Sequence, residues 1–289
     1  MMKKVLLIIM LSIISIPAMA QITGAGATFP YPIYSKWAEA FKKDTGVVIN
    51  YQSIGSGGGI KQIQNKTVTF GATDMPLEAD VLDKFGLIQF PLVNGSVVIA
   101  HNFKQDNKIL SPEQIANIYL GNIKKLDDET IIPVRRSDGS GTTYLFTNWL
   151  SSFNSLFKDK IGVGTSVNWF VGIGAKGNEG VTSNIKLNSG AIGYVEYAYA
   201  KQNGLKMISL DINGKILTPN VESFKNNSWP ISAPTYILLR KDTLKSKESK
   251  QAIAFFIWAM KNGDKMAEDL DYIPLDLKQK MINLKILEQ

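Results

Sequence analysis

The chain has 289 residues, of which 45% are hydrophobic and none is cysteine, and its formal net charge is +7. This composition excludes a disordered chain, a disulfide-stabilised scaffold and thiol catalysis, and the length suits one large domain or two of ordinary size. The lysines are spread along the chain, so nucleic acid is a poor candidate partner and a general attraction for anions is a better one.

The first 20 residues predict a secretory signal peptide. Lys3 and Lys4 precede an apolar run over 5–16, and Ala18-Met19-Ala20 is typical of a cleavage site. A membrane anchor is the alternative, but the run is shorter than the roughly 20 residues that a spanning helix needs. Cleavage near Ala20 leaves Gln21 first, and a chain that starts with glutamine cannot carry the lipid of a bacterial lipoprotein. We therefore expect a soluble protein in the periplasm.

Strand patterns alternate with helix patterns along the rest of the chain. A strand and a glycine-rich turn occupy 22–30, and a helix follows with Ile33, Trp37 and Phe41 inward and Gly46 as its stop. Ser111-Pro112-Glu113-Gln114 predicts another helix start, with serine as the N-cap. Further strands are predicted at 47–51, 67–71, 90–93, 96–100, 131–134 and 235–240, and further helices over 77–85, around Phe255 and through Met281. This alternation favours parallel sheets, in which ligand loops gather beyond the carboxyl ends of strands.

One such loop, 135–143, combines two arginines with glycines and small hydroxyl residues between a predicted strand and a predicted helix. Ser140 and Thr142 are good N-cap residues, and the flanking glycines let several backbone N–H groups point at one spot. The helix dipole and a guanidinium would both attract an anion there. An ordinary helix cap beside a surface arginine explains the same pattern.

Two earlier loops also follow predicted strands. The segment 55–59 has four glycines in five positions, and each costs about 0.5–1 kcal/mol relative to alanine inside a regular element. Close approach of a ligand to backbone N–H groups would explain that cost. Asp74 lies in the other loop, 72–76.

A later segment, 172–177, matches the pattern G-x-G-x-x-G. We discount it as a dinucleotide fingerprint because the strand, the helix and the distal acidic residue that such a site requires are not clearly placed.

Five blocks together, in this order, resemble the phosphate-binding proteins of bacterial phosphate ABC transporters, the PstS family. The resemblance covers nearly the whole mature chain, and five ordered blocks are far more specific than any single glycine pattern. The blocks are 24–30 (GAGATFP), 55–59 (GSGGG), 70–74 (FGATD), 135–142 (RRSDGSGT) and 190–200 (GAIGYVEYAYA).

The resemblance implies an α/β, two-lobed periplasmic binding protein fold of type II, with the ligand cleft between lobes joined by two chain crossings. The crossings are expected near Gly95 and Ile231. Lobe 1 would then comprise 22–95 plus 232–289, and lobe 2 would comprise 96–231. Binding would close the lobes around the ligand.

Carried over residue by residue, the family's phosphate ligands fall on eight positions of this chain. They are Thr28, Phe29 (through its backbone N–H), Ser56, Asp74, Arg136, Ser140, Gly141 and Thr142. Asp138 would hold Arg136 in place. The resemblance implies no metal and no cofactor. The expected partners are inorganic phosphate and the permease subunits of an ABC transporter in the inner membrane, and the chain is expected to be a monomer.

The chain departs from the family at two places. Gly57 stands where serine is frequent, which puts an extra hydroxyl in doubt. The segment between Phe103 and Ile132 is shorter than in the family, which should reduce a surface region of lobe 2 and leave the site unchanged.

Two other classes of function compete with transport. A phosphatase or serine hydrolase could use Ser56 or Ser140, but neither serine lies in a G-x-S-x-G elbow and His101 is the only histidine available as a base. An adhesin or a signalling module could reuse the same fold, since fold does not fix function.

Overall fold

A computed structural model describes residues 22–288 as a mixed α/β protein. The predicted signal peptide, 1–20, and its cleavage site lie outside the described residues. The strands are β1 (Ile22–Gly26), β2 (Ile49–Ser53), β3 (Phe70–Thr73), β4 (Leu87–His101), β5 (Ile109–Leu110), β6 (Lys125–Leu126), β7 (Glu129–Thr130), β8 (Ile132–Arg136), β9 (Ile173–Ala175), β10 (Ala191–Glu196), β11 (Lys206–Met207), β12 (Ser209–Ile212), β13 (Lys215–Leu217), β14 (Ser232–Arg240) and β15 (Ile273–Pro274).

Helices flank the strands, and Lys241–Thr243 adds one turn of 3-10 helix. The helices are α1 (Tyr31–Thr45), α2 (Ser56–Gln64), α3 (Ala79–Phe85), α4 (Pro112–Leu120), α5 (Gly141–Phe153), α6 (Ser155–Lys160), α7 (Gly177–Leu187), α8 (Tyr197–Gln202), α9 (Val221–Lys225), α10 (Lys247–Asn262), α11 (Asp264–Glu268) and α12 (Leu277–Leu287). None of those within 22–288 combines the length and the apolar run that crossing a bilayer requires.

The main sheet has the strand order β2-β1-β3-β14-β4-β10-β8-β9. The three strands at one end, β1, β2 and β3, are parallel, and so are β8, β9 and β10 at the other end. The expectation of parallel sheets is wrong for the two long middle strands, because β4 and β14 are antiparallel to each other and to their outer neighbours. They carry the chain in opposite directions between the two parallel groups.

These two groups form the cores of two lobes, as the fold prediction requires. We call the lobe built on β1, β2 and β3 the first lobe and the lobe built on β8, β9 and β10 the second lobe. Strand β4 pairs with β14 up to Ser96 and with β10 from Val97 onward. At this change of partner, Val97 N–H donates to the Ile231 carbonyl at 2.8 Å. Gly95 and Ile231 lie next to this point, and the predicted crossings near them and the lobe boundaries stay a prediction.

Gly95 has a steric reason to be glycine. A Cβ at this position would lie 2.5 Å from the Phe29 ring, which is too close for any side chain. The junction between the lobes is therefore packed directly against the loop that follows β1.

Aromatic packing fills both lobes. In the first lobe, α1 packs on α10 with the Phe41 and Phe255 rings 5.4 Å apart. In the second lobe, Phe146 of α5 stacks on Tyr194 of β10 at 4.2 Å. Burial of such rings is the main stabilising contribution available to a chain without disulfides. It fixes the strand ends from which the site loops extend.

Candidate anion site between the lobes

The loops after β1, β2, β3 and β8 meet between the two lobes. Six polar side chains in these loops and at the adjoining strand and helix ends are almost completely buried, and Arg136, at 3%, is the most exposed of the six. The structure brings all eight predicted ligand positions and Asp138 into this region. The buried polar side chains of the set are Thr28, Ser56, Asp74, Arg136, Ser140 and Thr142.

Ser56, the first residue of α2, links the two lobes. Its Oγ accepts a hydrogen bond from Asp74 N–H at 3.2 Å and another from Gly141 N–H, in the second lobe, at 3.1 Å. Its hydroxyl donates to Asp74 Oδ2 at 3.4 Å. Because both acceptor positions of the serine hydroxyl are occupied, Ser56 can act only as a donor, and a bound anion would have to replace or share the contact with Asp74.

Glycines allow the backbones of the two lobes to touch. Gly57 N–H donates to the Gly139 carbonyl at 2.9 Å. A Cβ on Gly141 would lie 2.5 Å from Ser56 Oγ and 2.6 Å from Asp74, so only glycine fits while the lobes are together. The departure at Gly57 belongs to the same contact, because a Cβ there would stand 3.1 Å from Gly139 Cα.

Arg136, the last residue of β8, is held by Asp138. Its Nε donates to Asp138 Oδ1 at 2.7 Å and its Nη2 pairs with Oδ2. Burial by itself would raise the pKa of Asp138, but the hydrogen bonds and charge of Arg136 hold it below its ordinary value. A further contact joins Nη1 to Thr142 Oγ1 at 3.3 Å. A guanidinium has five N–H donors, so these contacts leave donors for a ligand.

Ser140 is both an N-cap and part of the site. Its Oγ accepts from Thr143 N–H at 3.0 Å, which satisfies one of the free donors at the start of α5. Its own N–H is used by the Thr165 carbonyl at 2.8 Å, so its contribution to a ligand would come from the hydroxyl. The simpler interpretation of this loop as a helix cap is thus correct for Ser140, but Arg136 is not a surface residue.

Asp74 follows β3 and is 1% exposed. Burial raises its pKa to about 7, and the nearby Thr235, the Arg136 charge and Ser56 only partly oppose that effect. Its Oδ1 makes no hydrogen bond of good geometry with any described residue. The site therefore has one carboxylate oxygen available to accept a proton from a ligand.

Thr28 and Phe29 are positioned by tyrosines. Tyr199 donates to the Thr28 carbonyl at 2.7 Å, and Tyr272 donates to the Phe29 carbonyl at 2.7 Å. Because a peptide unit is planar and trans, fixing the Thr28 carbonyl also fixes the opposite direction of the Phe29 N–H. This arrangement supports the use of that N–H as a donor.

Several residues outside the predicted ligand set also hold the site together. Tyr194, on β10 in the second lobe, shares a hydrogen bond with the Thr143 hydroxyl at 2.8 Å, in which either oxygen can be the donor. The Tyr194 oxygen also accepts a hydrogen bond from Arg136 N–H at 3.1 Å. Asn178 bonds to Thr28 across the cleft. Asn178 lies just after the G-x-G-x-x-G pattern. In the structure β9 lies inside that pattern and α7 begins at its last glycine. Because β9 has only three residues, its sequence shows no recognisable strand periodicity.

Chemically, the site offers a fixed positive charge, hydroxyl donors, the N-terminal N–H groups of α5 and one buried carboxyl. Such a set suits a small oxyanion that keeps a proton. The carboxyl distinguishes it from a site for fully ionised anions.

Comparison with known proteins agrees with this chemistry. A family model described as a PBP superfamily domain matches residues 14–262. The phosphate-binding protein PstS of Haemophilus influenzae is 44% identical over an alignment 295 positions long, gaps included, which covers 88% of this chain and 88% of the relative. PstS of Pasteurella multocida is 43% identical over an alignment 315 positions long, gaps included, which covers 94% of this chain and 92% of the relative.

Among solved structures, one is described as a putative phosphate ABC transporter substrate-binding protein with bound phosphate from Clostridium perfringens. It matches with a TM-score of 0.75 at 22% identity, over 89% of this chain and 100% of that chain. At this identity the match shows the shared fold.

Proposed function

Because the chain belongs to the PstS family of phosphate-binding proteins, we propose that it binds inorganic phosphate between its lobes and delivers it to an ABC-type membrane permease. The observation that carries the proposal is that the site contains both a buried arginine, Arg136, which Asp138 holds in place, and the buried carboxyl of Asp74. The arginine attracts an oxyanion. The carboxyl accepts a hydrogen bond only from an oxyanion that has kept a proton.

The proposed ligand set is the one that the sequence predicts. Thr28, Ser56, Ser140 and Thr142 contribute hydroxyls, Phe29 and Gly141 contribute backbone N–H groups, Arg136 contributes charge, and Asp74 accepts. Gly141 N–H now donates to Ser56 Oγ, so its bond to phosphate would replace or share that contact. The burial and convergence of these groups support the assignment.

The periplasm is the proposed location, in keeping with the secretory signal predicted over 1–20 and with the family. Closed lobes would present the form that docks on the permease. A monomeric chain remains the expected state for delivery.

A hydrolase is the weaker alternative. A serine nucleophile needs an adjacent base. The hydrogen bond described for His101 joins its Nδ1 to Phe103 N–H, and none among residues 22–288 joins it to Ser56 or Ser140. We therefore propose binding without catalysis.

Titration of the purified protein with phosphate, sulfate, arsenate and molybdate tests the proposal, together with an assay for turnover of a generic phosphate ester. We expect saturable binding of one phosphate per chain, weak or absent sulfate binding, and no turnover. Absence of phosphate binding would contradict the transport function, and ester hydrolysis that depends on Ser56 or Ser140 would favour an enzyme.

A further inference from the structure

Asn178 is a buried polar residue near the start of α7 that the proposed function does not use. It is 0% exposed and lies in the second lobe, directly after the G-x-G-x-x-G pattern. We propose that Asn178 is a positioning residue that fixes the Thr28 hydroxyl as a hydrogen-bond donor toward the bound anion, and does so only when the lobes are together. This inference rests on the proposed phosphate-binding function.

A backbone N–H on the side of Asn178 away from Thr28 sets the orientation of the Asn178 side-chain amide. Glu196 N–H donates to Asn178 Oδ1 at 3.0 Å. A backbone N–H is always a donor, so the atom facing it has to be the amide oxygen. The amide nitrogen must therefore face the other way, toward Thr28.

Two donors then converge on one hydroxyl. Asn178 Nδ2 donates to Thr28 Oγ1 at 2.8 Å, and the Asn178 backbone N–H donates to the same oxygen at 3.1 Å. A hydroxyl oxygen has two acceptor positions and one proton. With both acceptor positions occupied, Thr28 can only donate its proton, and a bound oxyanion is the acceptor that the proposed site supplies.

The contact is also a contact between lobes. Thr28 follows β1 in the first lobe, whereas Asn178 belongs to the second, so separating the lobes breaks both hydrogen bonds. In separated lobes the Thr28 hydroxyl is free to rotate and to accept from water. Closure of the lobes therefore fixes the direction of the Thr28 O–H bond, so that the hydroxyl can act only as a hydrogen-bond donor.

Neighbouring contacts keep this geometry rigid. Tyr199, also in the second lobe, holds the Thr28 carbonyl at 2.7 Å. A Cβ at Gly177 would lie 3.3 Å from Thr28 Cγ2, which shows how closely the start of α7 packs against this side chain.

A double-mutant cycle on phosphate affinity tests the proposal with the full-length mature chain. Asn178→Ala is measured in three backgrounds, which are wild type, Thr28→Ser and Thr28→Val. The serine variant keeps the hydroxyl and the valine variant removes it with little change of shape. We expect Asn178→Ala to weaken phosphate binding about fivefold to tenfold in the first two backgrounds and less than about twofold in the third.

Asn178→Asp provides a second arm if the alanine variant is poorly folded. It keeps the side-chain shape and the bond to Glu196 N–H, but it places an acceptor at Thr28, which would capture the hydroxyl proton. The loss of phosphate affinity caused by Asn178→Asp should be larger in the wild-type background than in the Thr28→Val background, and this difference should exceed the one found for Asn178→Ala. Asn184→Asp makes the same charge change on α7 outside the site, where the Asn184 side-chain amide donates to the Gly180 carbonyl, and should change affinity less than about twofold.

Equal losses in all three backgrounds would show that Asn178 only supports the fold, and no loss in any would show that it does not position Thr28. Either result overturns the inference while wild-type phosphate binding stays intact. Failure of the wild-type chain to bind phosphate would instead contradict the proposed function, and this inference with it.

Discussion

At the residue scale, the central pair is Arg136 and Asp138. Removing Arg136 from this buried position leaves Asp138 without its partner and the anion without its fixed counter-charge. Losing a buried charge partner costs on the order of 2–5 kcal/mol, or tens to thousands of fold in affinity. We expect Arg136→Ala to lose phosphate affinity by that amount in calorimetric titration.

Arg135→Ala is the matched control. Arg135 precedes Arg136 on β8, its side chain is partly exposed, and it lies beside Gly174 of the neighbouring strand. It should keep wild-type affinity within about threefold. If Arg136→Ala bound normally and Arg135→Ala did not, the assignment of the two arginines would have to be exchanged.

Asp74 should decide between phosphate and sulfate. A carboxylate near a bound dianion costs on the order of 1–4 kcal/mol at about 4 Å, unless the anion donates a proton to it. Phosphate keeps a proton and sulfate does not, so an ionised Asp74 accepts one anion and repels the other. We expect Asp74→Asn to improve sulfate binding relative to phosphate by about tenfold or more at pH 8.5.

The raised pKa of Asp74, about 7, adds a pH dependence to this discrimination. Below pH 7 the carboxyl holds a proton and can itself donate to sulfate. The preference of the wild-type protein for phosphate should therefore weaken from pH 8.5 to pH 6, whereas that of Asp74→Asn should change much less. A wild-type preference that is constant over this range would argue against proton sensing by Asp74.

The same shift predicts how stability depends on pH. Folded Asp74 keeps its proton up to about pH 7, while the unfolded chain releases it near pH 4. Between these values the folded state binds more protons, so raising the pH favours unfolding. We expect the unfolding free energy of the phosphate-free wild type to fall relative to Asp74→Asn, by on the order of a few kcal/mol, between pH 4 and pH 7. Parallel denaturant titrations of both proteins measure this difference, and parallel pH profiles would contradict it.

At the element scale, the start of α5 is limited by its fit against the other lobe. Alanine is a better helix former than glycine by about 1 kcal/mol, so Gly141→Ala should not destabilise the helix itself. Its Cβ, however, would collide with Ser56 and Asp74 when the lobes meet. We expect unchanged or higher thermal stability without phosphate and a phosphate affinity reduced at least tenfold.

Gly180→Ala tests the same change in α7 without the collision. A Cβ at Gly180 has its nearest neighbours at 3.5 Å, in Ala175, which is ordinary contact. This variant should bind phosphate normally. Weak binding by both variants would mean that glycine flexibility, not the fit between lobes, matters at Gly141.

Element types were largely predictable from local patterns, because capping and stop signals act through neighbouring residues. Gly46 ends α1 in a left-handed conformation, and Ser111 is the predicted N-cap of α4, where it forms a capping box with Gln114. The bounds of other elements differ from the predicted ones, because tertiary packing decides where those elements begin and end. The predicted strand 47–51 is found two residues later, and the glycines of 55–59 fall mostly inside α2. The runs 90–93 and 96–100 form one continuous strand, β4.

The site was predictable to the extent that its residues form contiguous blocks. Arg136, Ser140 and Thr142 lie within seven residues of one another, and the structure confirms that they are close. The roles of Asn178, Tyr199 and Tyr272 could not be recognised, although Tyr199 lies in the block 190–200, because each acts on a loop 150 or more residues away in sequence. Only the folded arrangement of the lobes brings such pairs together.

At the scale of the whole molecule, the contacts between lobes predict a change of shape on binding. Gly57 meets Gly139, Ser56 meets Gly141, and Thr28 meets Asn178, all across the cleft. Phosphate, with ligands in both lobes, should favour this arrangement over separated lobes. We expect small-angle scattering to give a smaller radius of gyration with phosphate than without it. An unchanged profile would indicate a pocket that is already closed, or a site within one lobe.

The burial of the site also limits how fast a ligand can leave. Because the proposed side-chain ligands are at most 3% exposed, we expect a bound anion to leave only after the lobes part, so that the lifetime of the complex is at least the waiting time for opening. The Gly57–Gly139 contact touches no proposed ligand atom, yet it helps set that waiting time. If the protein delivers its ligand to a permease as proposed, a partner that separates the lobes could release the anion without itself forming any bond to it.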